Sequence, residues 1–304
     1  MRWAMTLAYS GTRQKANGAR IMDGKIDPAH LAHHAGAPLA GRFLPNRWPA
    51  WASAALLALA PACGGGGDAA SVPGPVPPAK ADIALLFYGN SHTRTNDVPG
   101  LVASLLRAVR PGRSVEAVTA PGSQFLDERL SDAPSRDALA SRRWSAVVFQ
   151  AQKYSASGQF SYSTVEAAQW VRLARDNGAV PVLFPEWPRL GVDETQRIFE
   201  LYVSIAAQAP ACVAPVPQAW DIALARQTLL PLHAPDGNHS QPAGALLAAL
   251  VIASTIAGDS PAAMPTLAAL AVDAATQAEL RAAAALAVTD LSPRRYCPAD
   301  TFPG

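Results

Sequence analysis

The sequence predicts an α/β protein with a doubly wound parallel sheet. Five short apolar segments of β type alternate with longer segments that have the period of amphipathic helices. This alternation favours parallel strands with helices on both faces, because each crossover helix packs back onto the sheet. The hydrophobic content of 50% and the charged content of 16% are those of an ordinary globular protein.

The elements can be assigned in order along the chain. The predicted strands are residues 82–88, 114–120, 145–150, 179–184 and 212–216. The predicted helices are residues 98–110, 164–177, 194–208 and 217–227. The Ala-rich stretch from 242 to 290 predicts two or three more helices, of which residues 244–258 form a buried one. Ligands of such folds bind at the carboxyl ends of the strands, so the residues after each strand are the candidates for a functional site.

The chain divides into four segments of different character. Residues 1–45 show no sustained period and are interpreted as a disordered extension or as sequence upstream of the true translation start. Residues 46–63 have the basic flank, short apolar core and small-residue exit of a secretory signal. Residues 64–80 are a Gly-rich and then Pro-rich linker, and residues 81–304 form the predicted folded domain.

The end of the signal-like segment leaves alternatives open. A small residue precedes Cys63 and a Gly run follows it, which is similar to a bacterial lipoprotein processing site. The other interpretations are a plain secretory signal or a buried N-terminal helix. We therefore expect an exported protein, either periplasmic, anchored to the envelope through a lipidated Cys63, or secreted.

Composition excludes several classes of function. The apolar runs 48–62 and 244–258 are both shorter than the roughly 18–20 residues that span a bilayer, which excludes a polytopic membrane protein. Beyond residue 63 the chain has 18 basic and 21 acidic residues without a basic run, so we expect no nucleic-acid partner. We also expect no metal and no cofactor, because neither Cys pairs with ligand spacing nor an H-E-x-x-H motif is present.

Ser91 follows the first predicted strand, in the sequence Gly-Asn-Ser-His-Thr of residues 89–93. A serine on such a strand-to-helix turn can present its hydroxyl to a substrate while its backbone N–H faces a developing negative charge. It can equally be a helix cap. The segment is not the G-x-S-x-G elbow, since Thr93 occupies the place of the second Gly.

A nucleophilic serine needs a base, and the folded region has three histidines, His92, His233 and His239. The side chain of His92 is expected to diverge from the adjacent Ser91. His239 has Asp236 three residues before it, where a carboxylate can orient an imidazole. D-x-x-H is a weak motif by itself, but this copy follows the fifth strand and should lie at the same edge of the sheet as Ser91.

Together these residues resemble the SGNH/GDSL hydrolase superfamily. The likeness covers residues 82 to about 258 and is closest to a bacterial branch with GNS-x-T, an N-x-x-P stretch (here Asn96 to Pro99) and DG-x-H followed by Pro and Gly. The resemblance implies a three-layer sandwich with a five-stranded parallel sheet in flavodoxin-like order. It also implies a serine ester hydrolase with Ser91 as nucleophile, His239 as base and Asp236 as its orienting partner.

The resemblance implies an oxyanion hole made by the backbone N–H groups of Ser91 and Gly122. Many members add a side-chain Asn from the third block, where this chain has Gln150 and Gln152. We expect Gln150 to donate to the oxyanion, with Gln152 as the second candidate; the alternative is that these amides hydrogen-bond loop backbone.

The loops at the same edge are expected to shape the substrate pocket. Gln152, Tyr154 and Trp187 are the candidate substrate contacts, because an aromatic ring and a few polar groups suit a sugar ring or an acyl chain. Packing beneath its loop is the alternative for Trp187.

The sequence therefore predicts an exported serine esterase, either a carbohydrate acetyl esterase or a short-chain carboxylesterase. The expected partner is a small-molecule or carbohydrate ester. An O-acyltransferase with the same residues is one alternative. A degenerate carbohydrate-binding or surface protein is another, because Asn90 replaces the usual Asp of the GDS motif and the third block is altered.

Cysteine usage adds one structural expectation. If Cys63 belongs to the signal or tether, Cys212 and Cys297 remain as an even pair in the folded domain. An oxidising compartment favours a disulfide between them. The competing interpretation is a buried Cys212 and a free Cys297.

Overall fold

Five parallel strands form the sheet in the computed structural model, which describes residues 81–301. The strands are β1 (Ile83–Tyr88), β2 (Val115–Thr119), β3 (Ala146–Phe149), β4 (Val180–Leu183) and β5 (Cys212–Val213), in the order β2-β1-β3-β4-β5. This arrangement confirms the predicted fold class and its flavodoxin-like strand order. The predictions for residues 1–80, including the signal, Cys63 and the linker, lie outside the described residues.

Helices cover both faces of the sheet. They are α1 (Ser91–Arg94), α2 (Val98–Val109), α3 (Leu126–Arg129), α4 (Ala133–Ala140), α5 (Val165–Asn177), α6 (Thr195–Gln208), α7 (Val216–Arg226), α8 (Pro242–Ala257) and α9 (Ala274–Asp290). One core lies between the sheet and α2, α7, α8 and α9, and the other lies between the sheet and α3 to α6. The four helices predicted between residues 98 and 227 are confirmed, whereas the short helices α1, α3 and α4 were not predicted.

β1 is buried on both faces, as a central parallel strand must be. Leu85 and Phe87 contribute to one core, and Leu86 and Tyr88 contribute to the other. All four side chains are fully buried. β1 therefore fixes the position of whatever follows Tyr88 at the carboxyl edge of the sheet.

α8 forms the buried helix that the apolar stretch predicts. Of its residues, only Pro242 and Ala257 at the ends are not buried. Its first turn packs closely, because a Cβ on Gly244 would lie 2.4 Å from both the Leu232 carbonyl oxygen and a Trp220 ring carbon. Among residues 81–301, neither α8 nor any other helix combines the length and apolarity that crossing a bilayer requires.

A disulfide between Cys212 and Cys297 attaches the C-terminal segment to the edge strand β5. This pairing confirms the expected bond. Beside it, Arg175 donates two hydrogen bonds of 2.8 Å to the carboxylate of Asp300. The disulfide and this ion pair both hold the segment after α9, and Arg294 adds a hydrogen bond to the Ile256 carbonyl.

Replacing Cys297 by Ser should destabilise the domain, because the disulfide closes a loop across a sequence separation of 85 residues and restricts the unfolded chain. We expect the free energy of unfolding in urea to fall by up to about 4 kcal/mol. Thiol titration of denatured, unreduced protein made in an oxidising compartment should detect neither Cys212 nor Cys297; two reactive thiols from these residues would contradict the bond.

Candidate active site

Ser91 lies at the carboxyl end of β1, on a turn formed by residues 89–93, the Ser91 turn. Asn90 caps α1, with its side-chain oxygen accepting from the backbone N–H of His92 at 3.0 Å. Gly89 is required here, since a Cβ would lie 2.0 Å from the Thr93 hydroxyl oxygen. The turn leaves Ser91 exposed at the sheet edge.

Three side chains form a hydrogen-bonded chain at this point. His239 Nε2 lies 2.8 Å from Ser91 Oγ, and His239 Nδ1 lies 2.5 Å from Asp236 Oδ2. The other carboxylate oxygen of Asp236 accepts from the backbone N–H groups of Asn238 and His239, both at 2.9 Å. The hydrogen bond from His239, followed by those from the backbone, holds the pKa of Asp236 well below its usual range.

An ionised Asp236 fixes the tautomer of His239. The carboxylate can only accept, so His239 carries its proton on Nδ1 and its Nε2 is free to accept the proton of Ser91. This is the arrangement in which a serine hydroxyl becomes a nucleophile.

Two side chains from other segments donate hydrogen bonds to residues 233–241, the His239 loop. Trp187 donates from its indole nitrogen to the Asn238 carbonyl at 2.8 Å. Asn96 donates from its side-chain amide to the Ser240 carbonyl at 2.7 Å, which ties this loop to the segment after Ser91. Trp187 is 1% exposed and stacks on Trp220 with ring centroids 4.5 Å apart, so it packs beneath the loop and is not at the surface as a substrate contact.

His92 belongs to the site, although its side chain was expected to diverge from Ser91. Its ring stacks on that of His239 with centroids 5.3 Å apart and lies 5.1 Å from the ring of Trp187. Burial, followed by the proximity of His239, lowers the pKa of His92 to about 4. His92 is therefore neutral at neutral pH and adds no positive charge beside the base.

Two backbone N–H groups are available for an oxyanion. Gly122 lies on the loop of residues 120–125 after β2, the Gly122 loop, with a φ of +74° that favours glycine. Within residues 81–301, neither the Ser91 N–H nor the Gly122 N–H donates to a protein acceptor. Ser91 and Gly122 are both exposed residues, and each follows the carboxyl end of a strand, β1 and β2.

Gln150 lies beneath the Ser91 turn and not beside it. Its side chain has no exposed surface. Its carboxamide oxygen accepts from the Asn90 backbone N–H and from the Thr93 hydroxyl, both at 3.0 Å, and its buried amide nitrogen has no hydrogen-bond partner among residues 81–301. A fully enclosed amide cannot reach an oxyanion at the surface, so the predicted donor role of Gln150 is replaced by support of the turn.

Gln152 and Tyr154 are also engaged within the protein. Gln152 is 3% exposed and donates from its side chain to the carbonyls of Lys153 and Ser163 at 3.0 and 2.9 Å. This is the alternative role, hydrogen bonding of loop backbone. Tyr154 is half-buried, and burial together with nearby Glu186 and Glu194 raises the pKa of its hydroxyl.

Glu186 is a buried carboxyl after β4 that was not predicted from the sequence. It is 5% exposed and accepts a hydrogen bond of 2.9 Å from the Tyr202 hydroxyl. Burial raises the pKa of Glu186 to about 7. The sequence Pro-Glu-Trp gives no sign of this, because a charged residue in a loop is ordinarily solvated.

Comparison with known proteins gives matches among solved structures only. No protein-family model and no curated protein matches the sequence. A DUF4886 family protein from Bacteroides uniformis is similar with a TM-score of 0.51 and 16% identity, over 68% of this chain and 95% of that one. A candidate SGNH hydrolase from Slackia heliotrinireducens has a TM-score of 0.47 and 28% identity, over 57% of this chain and 97% of that one.

An acetyl xylan esterase from Geobacillus stearothermophilus has a TM-score of 0.44 and 16% identity, over 57% of this chain and 93% of that one. Of these three, the Bacteroides uniformis protein exceeds a TM-score of 0.5. At 16% identity it shows a shared fold and nothing about activity.

Because its pKa is raised in the folded protein, Glu186 should make the free energy of unfolding depend on pH. The folded protein holds a proton on Glu186 up to about pH 7, whereas the unfolded chain loses it near the ordinary glutamate pKa of 4.5. This contribution to stability is therefore complete below about pH 4.5 and is lost as the pH rises to about 7. The loss corresponds to roughly 3 kcal/mol, at about 1.4 kcal/mol per pKa unit.

Glu186→Gln removes this titration. In urea unfolding at pH 5 and pH 8, the variant should gain stability relative to the wild-type protein on going to the higher pH, by roughly 2–3 kcal/mol. Comparing the two proteins cancels the titration of all other groups. A constant difference between them at both pH values would contradict the assignment.

Proposed function

We propose that this protein is a serine ester hydrolase with Ser91 as its nucleophile. The observation that carries the proposal is the 2.8 Å contact between Ser91 Oγ and His239 Nε2, with Asp236 on the other nitrogen of the imidazole. These three groups come from two segments that are 148 residues apart. Helix capping explains neither the His239 contact nor the open position of the Ser91 hydroxyl.

The proposed reaction has two steps. Ser91 Oγ attacks the ester carbonyl carbon while its proton passes to His239 Nε2, and the carbonyl oxygen becomes an oxyanion at the Ser91 and Gly122 N–H groups. His239 then gives the proton to the leaving alcohol as the C–O bond breaks. In the second step water attacks the acyl-enzyme, His239 takes its proton and returns it to Ser91, and the acid is released.

The substrate we propose is a short-chain ester, an acetylated carbohydrate being the first candidate. Ser91 is exposed, which suits a substrate too large to be enclosed. Phe125 is 38% exposed three residues after Gly122, and Leu190 is 62% exposed with its N–H bonded to the Gly237 carbonyl. Phe125 ends the Gly122 loop and Leu190 is bonded to the His239 loop, so in this proposal both offer apolar contacts to an acyl group or a sugar face.

We also propose that the protein is exported, as a periplasmic, envelope-anchored or secreted form. The disulfide between Cys212 and Cys297 supports this, because such bonds persist in oxidising compartments. The apolar run before Cys63 supplies the signal in this proposal.

Ser91→Ala and His239→Ala should each lower the turnover of p-nitrophenyl acetate at least about 10⁴-fold, because nucleophile and base act as a unit. Asp236→Asn should be milder, since Asp236 orients His239 and does not react. All three should retain the wild-type circular dichroism spectrum. Ser123→Ala, beside Gly122, is the control and should keep wild-type turnover. Wild-type turnover by folded Ser91→Ala would reject the mechanism.

Expression in a Gram-negative host tests the proposed export. The protein should fractionate with the cell envelope, and mass spectrometry should place the mature N-terminus at or near Cys63. A lipidated Cys63 would add the mass of a lipid anchor to that N-terminal peptide. An intact Met1 on a cytoplasmic product would contradict export.

A further inference from the structure

Arg129, in the last position of α3, is a fully buried guanidinium directly behind the site. Its side chain has no exposed surface. A buried arginine ordinarily pairs with a carboxylate, because an unpaired charge is costly to desolvate. Among residues 81–301, no ion pair involves Arg129, and the nearby Asp132 uses its carboxylate to cap Ser135 at 2.9 Å.

Neutral oxygens satisfy all five N–H groups of Arg129. Two of these bonds are Nε to the Gln124 carbonyl at 3.1 Å and Nη1 to the Ser135 hydroxyl at 2.9 Å. Nη1 also donates to the Pro121 carbonyl at 2.8 Å. Nη2 donates to the carbonyls of Gly89 and Gly122, at 2.9 and 3.0 Å.

These acceptors connect the two parts of the oxyanion hole. Gly89 belongs to the Ser91 turn, whereas Pro121 and Gly122 belong to the Gly122 loop. One rigid, planar group therefore binds both segments that carry the Ser91 N–H and the Gly122 N–H. Arg94, at the end of α1, adds hydrogen bonds to the Ala120 and Gly122 carbonyls, but it does not contact the Pro121 carbonyl. Three of the four backbone carbonyls bound by Arg129 lie in the Gly122 loop, which has no regular secondary structure.

The bond to Pro121 has an electronic consequence as well. The Pro121 carbonyl and the Gly122 N–H are the two ends of one peptide group. A charged donor on that carbonyl polarises the peptide and strengthens its N–H as a donor, since hydrogen bonds in series reinforce one another. The charge lies in a buried setting, where it acts on a nearby oxyanion far more strongly than it would in water.

We propose that Arg129 is a positioning residue for the ester hydrolysis, holding and polarising the Gly122 peptide toward the oxyanion. Gln150, which is buried beneath the Ser91 turn, does not donate to the oxyanion in this proposal. This inference rests on the proposed function, because it needs an oxyanion at Ser91. Arg129 itself does not touch the substrate.

Two substitutions test the proposal with p-nitrophenyl acetate. Arg129→Lys keeps the charge but offers three donors in place of five, and Arg129→Met removes the charge at similar length. We expect kcat to fall at least about tenfold in Arg129→Lys. In Arg129→Met we expect a larger fall, towards the roughly 10²–10³-fold decrease in kcat that is typical of losing one oxyanion donor. KM should stay within about threefold, because the effect belongs to the transition state.

Ser135→Ala is the matched control. It removes one acceptor of Arg129 that belongs to neither site loop, and it should leave kcat within about twofold of the wild-type value. A folded Arg129→Met with wild-type kcat would overturn the proposal, and so would a fall in kcat of the same size in Ser135→Ala.

A measurement on the wild-type protein covers the case in which the Arg129 variants do not fold. Reaction of Ser91 with a fluorophosphonate places a tetrahedral phosphorus and its oxygen at the site. In protein labelled with ¹⁵N-arginine, the Nε–Hε resonance of Arg129 should shift on adduct formation. The resonance of Arg107 should not shift, because Arg107 donates to the Val115 carbonyl at the amino end of β2, the opposite end of the strands from the site. An unmoved Arg129 resonance in the fully formed adduct would overturn the proposal.

The outcomes separate this inference from the proposed function. A wild-type protein that neither hydrolyses esters nor reacts with the fluorophosphonate would reject the function, and with it the role of Arg129. An active wild-type protein with unaffected Arg129 variants would reject the role of Arg129 alone.

Discussion

The site depends on the buried side chains that hydrogen-bond the backbone N–H and C=O groups of its loops. Loops at the carboxyl edge of the sheet lack a regular hydrogen-bond ladder, and their buried N–H and C=O groups need side-chain partners. Gln150 accepts from the Asn90 N–H, and Arg129 donates to the Gly89 carbonyl. The peptide group between Gly89 and Asn90, which leads into Ser91, is thus held at both ends by buried side chains. Ser91 itself stays exposed, with its hydroxyl beside His239 Nε2.

Other elements of the fold position His239 beside Ser91. The packing of Gly244 on Trp220 and Leu232 sets the start of α8, and the His239 loop ends there. Trp187 supports the loop from below through the Asn238 carbonyl, and Asn96 ties it to the nucleophile segment through the Ser240 carbonyl. The short Ser91–His239 distance is therefore the result of packing between segments far apart in the sequence.

The strands and main helices could be predicted because their apolar periods are local and are reinforced by burial. Ser91, Asp236 and His239 could be proposed because a turn after a strand and a D-x-x-H spacing each have a chemical meaning. For Gln150 and Trp187 the sequence left a structural and a functional role open. Tertiary neighbours decide which face of an irregular loop is buried, and the sequence does not show those neighbours. The same holds for Arg129 and Glu186, which as charged residues in or near loops give no local sign of burial. Helices α1, α3 and α4 are too short to show a period.

The central claim, that the Ser91 hydroxyl is activated by His239 and Asp236, has one direct measurement. The wild-type protein is treated with a fluorophosphonate, digested, and mapped by mass spectrometry, with His239→Gln as the matched control. The account predicts a single phosphonyl adduct on Ser91 in the wild-type protein and a strongly slowed reaction in the variant. An adduct on another serine such as Ser123, or equal labelling of Ser91 in both proteins, would contradict it.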